Sequence, residues 1–147
     1  MAAGIFLDVG AAAIVLPSFI PAALTTTTNG STVDLLDSNA DMASAVLEVG
    51  AVSGTQGNFA VKIQESTATN TGFVDITGAT FTAFTTSGVA GTSGPQIISF
   101  QRQKRYVRAY VTMTGTYTNA LFGVTIFAQR AVQPDANGGW VNEAGAS

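Results

Sequence analysis

Acidic and amide side chains are the residues of this chain that could bind a metal. The spacing of a calcium loop, with oxygen ligands at its first, third, fifth and twelfth positions, is met by Asp37, Asn39, Asp41 and Glu48. The sixth position is Met42, where that loop requires glycine, and the residues that follow alternate as in a strand. We therefore expect a polar turn or a short helical turn here, and no calcium site.

Glycoside hydrolysis is a second possible chemistry, because it needs two carboxyl groups flanking a sugar. The candidates are Asp34, Asp37, Glu48, Glu65 and Asp75, and nothing in their spacing pairs them. Histidine and cysteine are both absent, which removes Ser-His-Asp and Cys-His arrangements and nearly all zinc sites. Phosphate-binding and nucleophile-elbow motifs are missing too. The sequence thus predicts no catalytic, cofactor-binding or metal-binding residue, and no enzyme.

Residues 102–113 combine most of the positive charge with the clearest strand pattern. Successive strand side chains point to opposite sides, so one side would be core and the other a contact surface. The contact side is predicted to carry Arg102, Lys104, Tyr106, Arg108 and Tyr110. Arg and Tyr are enriched in protein interfaces, which predicts an interaction surface. The alternative is a solvated edge strand whose charges prevent aggregation.

Charge is scarce in the chain as a whole. Of its 147 residues 46% are hydrophobic. Only 10% are charged, whereas about 25% of the residues in an average soluble domain are charged. Such a neutral surface is expected to be covered by copies of the chain or by a partner, unless Thr, Ser and Asn keep it soluble. A net charge of −3 disfavours nucleic acid as that partner, because phosphate binding needs clustered cations.

The elements that would position these residues are short strands separated by Gly, Ser, Thr and Asn. Their pattern, with 16 glycines and little helical periodicity, predicts an all-β antiparallel sandwich of jelly-roll type over residues 25–132. The eight predicted strands are Ser31–Leu36, Ala43–Ser53, Asn58–Ser66, Phe73–Ile76, Thr80–Thr86, Gln96–Gln101, Arg105–Thr114 and Ala120–Arg130. The Gly-rich residues 87–95 between two of them are expected to form a long loop.

The two ends of the chain are expected to lie outside this domain. Residues 1–24 are apolar but too interrupted by Asp8, Pro17 and Pro21 to span a membrane, so we expect an extended arm that docks on a neighbouring subunit. The alternative is an extra strand on the chain's own sheet. Residues 133–147 are expected to be a tail, with Trp140 either anchored on a neighbour or covering its own domain. The arm and tail residues predicted to make contacts are Ile5, Phe6, Leu7, Phe19, Ile20 and Trp140.

Three segments of the chain resemble small β-sandwich structural proteins of tailed bacteriophages. These are Lys62-Ile63-Gln64-Glu65-Ser66, Gly72-Phe73-Val74-Asp75-Ile76 and Lys104-Arg105-Tyr106-Val107-Arg108-Ala109, within a similarity that covers roughly residues 30–130. The resemblance implies a capsid decoration, or cement, protein on the outer surface of the virion. It would bind the major capsid protein, as a homotrimer, and stabilise the shell through non-covalent contacts. The arm and the tail lie outside the resemblance.

Two other functions stay open at this point. A neck, tail or fibre component of the same particle would have a similar composition. A carbohydrate-binding module could use the aromatic side chains of the strand at 102–113 to adsorb a particle to a cell, although these come from one strand with few supporting Asn or Asp residues.

Overall fold

The computed structural model describes residues 13–36, 41–85, 95–129, 132–134 and 140–142, and throughout these ranges the only regular elements are strands. In chain order they are β1 (Ala13–Leu24), β2 (Thr28–Asn29), β3 (Val33–Asp34), β4 (Met42–Ser66), β5 (Val74–Thr80), β6 (Phe84–Thr85), β7 (Gln96–Gln101), β8 (Tyr106–Gln129), β9 (Val132–Pro134) and β10 (Trp140–Asn142). Every pairing among them is antiparallel.

Two long strands form the centre of the sheet. β4 has 25 residues and β8 has 24, and they pair along almost their whole length. Each replaces two shorter predicted strands, so the predicted breaks at residues 54–57 and 115–119 are wrong. The chain does not turn back there, because bulges interrupt the ladder between Val49 and Asn58 and the strands continue beyond them.

The long ladder folds over on itself. On β4, Phe59 pairs with Met113 of β8. Val49, which precedes Phe59 by ten residues on β4, pairs with Phe122 of β8. In a flat sheet these two rings would be about 33 Å apart. Their centroids lie 5.5 Å apart in a stacked arrangement, so the sheet bends sharply between them.

The bend divides the sheet into two lobes that share one hydrophobic core. The first lobe consists of β1, β7, residues 42–52 of β4 and residues 120–129 of β8. The second lobe consists of β2, β3, β5, β6, residues 58–66 of β4 and residues 106–114 of β8. In both lobes alternate side chains of β4 and β8 lie in the core, as the sequence pattern predicts.

At the bend, the β8 residues that face the core change from odd-numbered to even-numbered ones. Odd-numbered residues from Val107 to Val111 are buried before it, and even-numbered residues from Ala120 to Ala128 are buried after it. A bulge produces this change because one extra residue reverses which side chains face the core. Gly115 lies at this point with φ of 86°, a backbone conformation that side-chain-bearing residues adopt at a cost.

Residues 13–24 are a strand of the chain's own sheet and not an arm. β1 pairs with β8 from Ala13↔Gln129 to Leu24↔Ala120, so the predicted domain boundary at residue 25 is wrong and the alternative of an extra strand is observed. Pro17 and Pro21 are compatible with this position, because β1 is an edge strand with bulges on either side of Phe19. Residues 1–12, with the predicted contacts Ile5, Phe6 and Leu7, lie outside the described residues.

Ser18 connects the two lobes. It is 2% exposed and lies in β1 of the first lobe, yet its Oγ accepts a hydrogen bond from the Ala109 N–H of the second lobe at 2.8 Å and donates one to the Ser31 carbonyl at 2.9 Å. The backbone N–H of Gly30 also donates to the Ala109 carbonyl. Gly30 lies so close that a Cβ there would overlap Ser18 and come within 2.9 Å of the Phe19 ring.

The all-β antiparallel class is confirmed, and two lobes around one core are consistent with a sandwich-like fold. A jelly-roll strand order stays a prediction. In the region predicted to be a tail, β9 and β10 form a two-stranded sheet in which Trp140 pairs with Pro134. The side chain of Trp140, like most of the loop at residues 87–95, lies outside the described part of the chain.

Candidate interaction surfaces

Arg108 lies at the centre of the predicted contact strand, on the outer face of the second lobe. Its guanidinium carbon is 3.9 Å from the centroid of the Phe73 ring, a cation–π contact. Its Nε and Nη2 donate to Gln64 Oε1 at 3.1 and 2.9 Å, and Gln64 Nε2 donates to Asp75 Oδ1 at 2.8 Å. Consecutive hydrogen bonds therefore link side chains of three strands, β8, β4 and β5.

The neighbouring cations are arranged in the same way. Lys62 Nζ is 2.5 Å from Asp75 Oδ2 and lies 5.2 Å from the centroid of the Tyr110 ring. Arg105 binds both carboxylate oxygens of Asp34, at 2.8 and 2.6 Å, and its guanidinium carbon is 4.9 Å from the centroid of the Tyr106 ring. We call these contacts the cation–aromatic network; its members are Asp34, Lys62, Gln64, Phe73, Asp75, Arg105, Tyr106, Arg108 and Tyr110.

The sequence correctly groups Tyr106, Arg108 and Tyr110 on one outward face of β8, and all three are partly buried. Their partners Gln64 and Asp75 were not predicted as site residues. The period-two alternation of Asn58–Ser66 carried part of the signal, because it places Lys62 and Gln64 on the outward side of β4, opposite Tyr110 and Arg108 in the ladder. The pairing of β5 with β4, which supplies Asp75, is not visible in any local pattern.

Arg102 lies in the turn that leads into β8, and Glu65, near the end of β4, binds this turn. Glu65 is 7% exposed, and its Oε2 accepts hydrogen bonds from the backbone N–H groups of Gln103 and Lys104 at 2.7 and 3.1 Å. Arg102 Nη1 donates to the Lys104 carbonyl at 3.1 Å. These contacts fix the conformation of the turn, so the Arg102 side chain already has a structural role within its own chain.

The network lowers the pKa of its two carboxyl groups. Hydrogen bonds from Lys62, and then from Gln64, hold the pKa of Asp75 below its ordinary value of 3.8. The hydrogen bond from Arg105 lowers the pKa of Asp34 from the same value. Partial burial lowers the pKa of the Arg108 guanidinium, against an opposing effect of Tyr110.

These shifts predict that the fold loses stability in acid. A carboxyl group whose pKa is lower in the folded state contributes its full stabilisation above the unfolded pKa, near 3.8, and loses it as the pH falls through the lower folded value. We expect the free energy of unfolding of Asp75→Asn, measured with urea between pH 7 and pH 2.5, to change less with pH than that of the wild type. The double variant with Asp34→Asn should change less still. A pH dependence unchanged in both variants would contradict the assignment.

A second outer surface, on the first lobe, carries no charge. Its residues alternate with buried core positions and align across four strands: Val15 of β1 is opposite Phe127 of β8, which is opposite Ser44 of β4, which is opposite Ser99 of β7. We call these two rows the uncharged face; its members are Val15, Pro17, Ser44, Val46, Ile97, Ser99, Thr125 and Phe127. The Ser44 and Ser99 hydroxyls are 3.1 Å apart, which confirms that they share this side.

The uncharged face exposes large apolar side chains. Ile97 is 68% exposed and Val15 50%. Four strands about 4.8 Å apart and two rows along them give a surface of roughly 200–300 Å², to which Ser44, Ser99 and Thr125 contribute hydroxyl groups. Glu48 is exposed on the same outward side of β4 as Ser44 and Val46, one row beyond this face, opposite Gly123 in the ladder. In contrast, five of the six basic residues belong to the second lobe or to the turn before β8: Lys62, Arg102, Lys104, Arg105 and Arg108.

Phe19 and Ile20, both predicted to make contacts outside the domain, differ in how far their side chains are exposed. The Phe19 ring packs edge-on against Phe122 at 5.4 Å and lies partly buried at the margin of the core, so its role as a contact residue stays a prediction. The bulges on either side of Phe19 turn it inward. Ile20 is 73% exposed and stays a candidate.

Three of the five carboxylates considered for catalysis are engaged in structural contacts. Asp34 and Asp75 bind cations, and Glu65 binds backbone N–H groups. Within the described ranges, no group of three or more His, Cys, Asp or Glu side chains could hold a metal ion. Asp37 and Asn39 of the calcium-like spacing lie outside those ranges.

In a comparison with known proteins, no family model and no curated protein match the chain. In the part of the chain that the structure describes, no helix is long and apolar enough to cross a membrane.

Proposed function

We propose that the chain is a structural protein of a bacteriophage particle, a capsid decoration protein that binds the shell of the major capsid protein at the outer surface and stabilises it by non-covalent contacts. The observation that carries the proposal is the uncharged face of the first lobe. With Ile97 and Val15 exposed on it, this face favours burial against another apolar surface. The resemblance of residues 30–130 to phage structural proteins supports the same role.

The mechanism proposed for this protein is mechanical. Burying apolar area across the boundary between capsid subunits would raise the free energy needed to separate them, and symmetry would repeat that contribution many times over the shell. The cation–aromatic network supports this role indirectly, because its contacts within the chain make the second lobe a rigid support for the first.

The same network weighs against the carbohydrate alternative. A sugar stacks on the face of an exposed aromatic ring, but cations lie over Phe73, Tyr106 and Tyr110. A glycan would have to displace Arg108, Arg105 or Lys62 from contacts that they already make. A neck, tail or fibre location within the particle would use the uncharged face in the same way as a shell location, and cryo-microscopy of the intact particle would distinguish them.

A charge placed on the uncharged face should abolish or weaken binding to the particle. Val15→Asp would bury an unpaired carboxylate in the proposed contact, at a cost of a few kcal/mol, so we expect binding to be at least about tenfold weaker. Val74→Asp is the matched control, because Val74 is a strand valine with 48% exposure in the second lobe. Binding would be measured by co-sedimentation with particles that lack the protein.

Heating the same particles tests the stabilising role. Particles with wild-type protein or Val74→Asp should release their genome at a higher temperature than particles without it, and Val15→Asp should not restore that difference. Equal binding and equal heat resistance for both variants would contradict a contact through the uncharged face. Heat resistance that does not depend on the protein at all would contradict the decoration role.

A further inference from the structure

Two adjacent residues, Asn29 and Gly30, form a sequence that reacts with itself in water without an enzyme. The backbone nitrogen of a glycine attacks the side-chain amide of a preceding asparagine easily, because glycine has no Cβ to hinder the approach. The bond from the Gly30 nitrogen to Asn29 Cγ forms, the Cγ–Nδ2 bond breaks, and ammonia leaves with the proton of the Gly30 nitrogen. Water then opens the cyclic imide at either of its carbonyls, which gives aspartate or isoaspartate at position 29.

The closed fold protects this pair from the reaction. The Gly30 N–H donates to the Ala109 carbonyl at 2.8 Å, whereas the attacking nitrogen must give up that proton. Asn29 has an exposed side chain and pairs with Tyr110 in the ladder, and ring closure would turn its backbone away from this pairing. The imide has no N–H, so the Ala109 carbonyl would also lose this donor. The reaction therefore requires that the backbone around Gly30 first separates from β8.

The backbone around Gly30 lies at an edge of the second lobe, in residues 27–32, which we call the edge segment. Its strand β2 has two residues and, like β3, pairs only with β8 among the described strands. The backbone N–H groups of Gly30 and Ser31 hold it through the carbonyls of Ala109 and Ser18. Short edge segments open at a lower free energy than the central strands of a sheet, so the edge segment is expected to open without global unfolding.

We propose that Asn29 is a modification site, at which deamidation occurs when the edge segment opens and the isoaspartate product keeps it open. Isoaspartate adds one main-chain carbon between position 29 and Gly30. Gly30 has no room for such a shift, because even a Cβ there would overlap the Ser18 hydroxyl and lie 2.9 Å from the Phe19 ring. A reversible opening would thus become permanent. The inference does not depend on the decoration role, since the site lies outside the uncharged face.

Peptide mapping by mass spectrometry of the full chain at neutral pH tests the protection. We expect Asn29 to deamidate at least about tenfold more slowly in the folded chain than in urea, because only the open fraction reacts. Asn137, in the other Asn-Gly pair of the chain, reports the chemical rate in the same urea sample. Ser18→Ala should accelerate the folded-state reaction about threefold or more, because it removes a contact of the edge segment. Phe59→Ala is the matched control, because it destabilises the core and keeps the contact between Ser18 and Gly30.

Two outcomes of this measurement would overturn the proposal. Equal rates in the folded chain and in urea would show that the fold does not protect Asn29. Equal acceleration by Ser18→Ala and Phe59→Ala would show that the pair reacts only after global unfolding, so that the edge segment does not open by itself.

Hydrogen exchange after refolding tests whether isoaspartate prevents closure. Wild-type chain would be deamidated in urea, refolded by dilution and separated by chromatography into its products. In the isoaspartate form we expect the Ala109 amide, which donates to Ser18 Oγ in the closed fold, to exchange at least about tenfold faster than in Asn29→Asp. Asn29→Asp has the same added charge on an ordinary backbone. Asn29→Gln, which cyclises far more slowly, controls for changes elsewhere during the same incubation. Equal protection in the isoaspartate form and Asn29→Asp would overturn the proposal.

Discussion

Replacing Phe59 with alanine is expected to lower the free energy of unfolding by about 3–5 kcal/mol. The Phe59 side chain is 0% exposed, and its ring stacks on Phe84 at 5.2 Å and on Phe122 at 5.5 Å. It therefore joins the second lobe to the first at the bend. Truncation would remove the transfer free energy of a large apolar side chain and would leave a cavity that both lobes line.

Phe127→Ala is the matched control for this prediction. Phe127 lies on the same sheet but on the uncharged face, where it is only partly buried, so its loss should cost about 1 kcal/mol. Urea unfolding followed by tryptophan fluorescence and circular dichroism would give both values. If the two variants lost equal stability, Phe59 would not hold the lobes together as the structure indicates.

Ser18→Ala is expected to lower the free energy of unfolding by about 2–4 kcal/mol, which is unusually large for the removal of one hydroxyl group. The hydroxyl accepts from the buried N–H of Ala109 and donates to the Ser31 carbonyl. Alanine would leave that N–H without this acceptor in the core, and the desolvation cost of an unpaired buried donor exceeds the net value of an ordinary hydrogen bond.

Ser44→Ala removes a hydroxyl from an exposed serine pair and provides the comparison. Its contact with Ser99 is 3.1 Å long and open to water, so we expect a loss below about 1 kcal/mol. Hydrogen exchange would locate the effect of Ser18→Ala, because the Ala109 amide should lose protection before the amides of β4 in the first lobe. Equal costs for the two serines would contradict a bridging role for Ser18.

The periodicity of the sequence predicts the core well. Phe59, Val61 and Ile63 alternate in the sequence and are all buried, and so do Phe122, Val124 and Ile126. Alternation is a local property, so the sequence alone reveals it. The sequence does not reveal the continuity of β4 and β8, because Gly and Ser at a bulge resemble Gly and Ser at a turn.

The position of β1 and the partners of Arg108 were harder to predict. Proline and apolar composition made residues 13–24 resemble an arm, whereas both prolines fit at the edge and bulges of a strand. The outward face of Tyr106, Arg108 and Tyr110 follows from alternation, but Asp75 reaches it through a pairing of β5 with β4. Pairings between distant segments depend on the whole fold and leave no local pattern.

The central position of β8 has a consequence for how the chain is made. β1, β2, β3 and β4 all pair with β8, and the first residue of β1, Ala13, pairs with Gln129 near the other end of the described sheet. During synthesis β1, β2 and β3 have no partner strand in the described sheet until β8 leaves the ribosome, whereas β4 can already pair with β5, β6 and β7. The sheet can therefore be completed only after β8 has been made, and its folding is expected to be slow, on the scale of about milliseconds to seconds, as in other folds dominated by distant contacts. Until then the apolar β1 has no partner in its own sheet, and chaperones would bind it first.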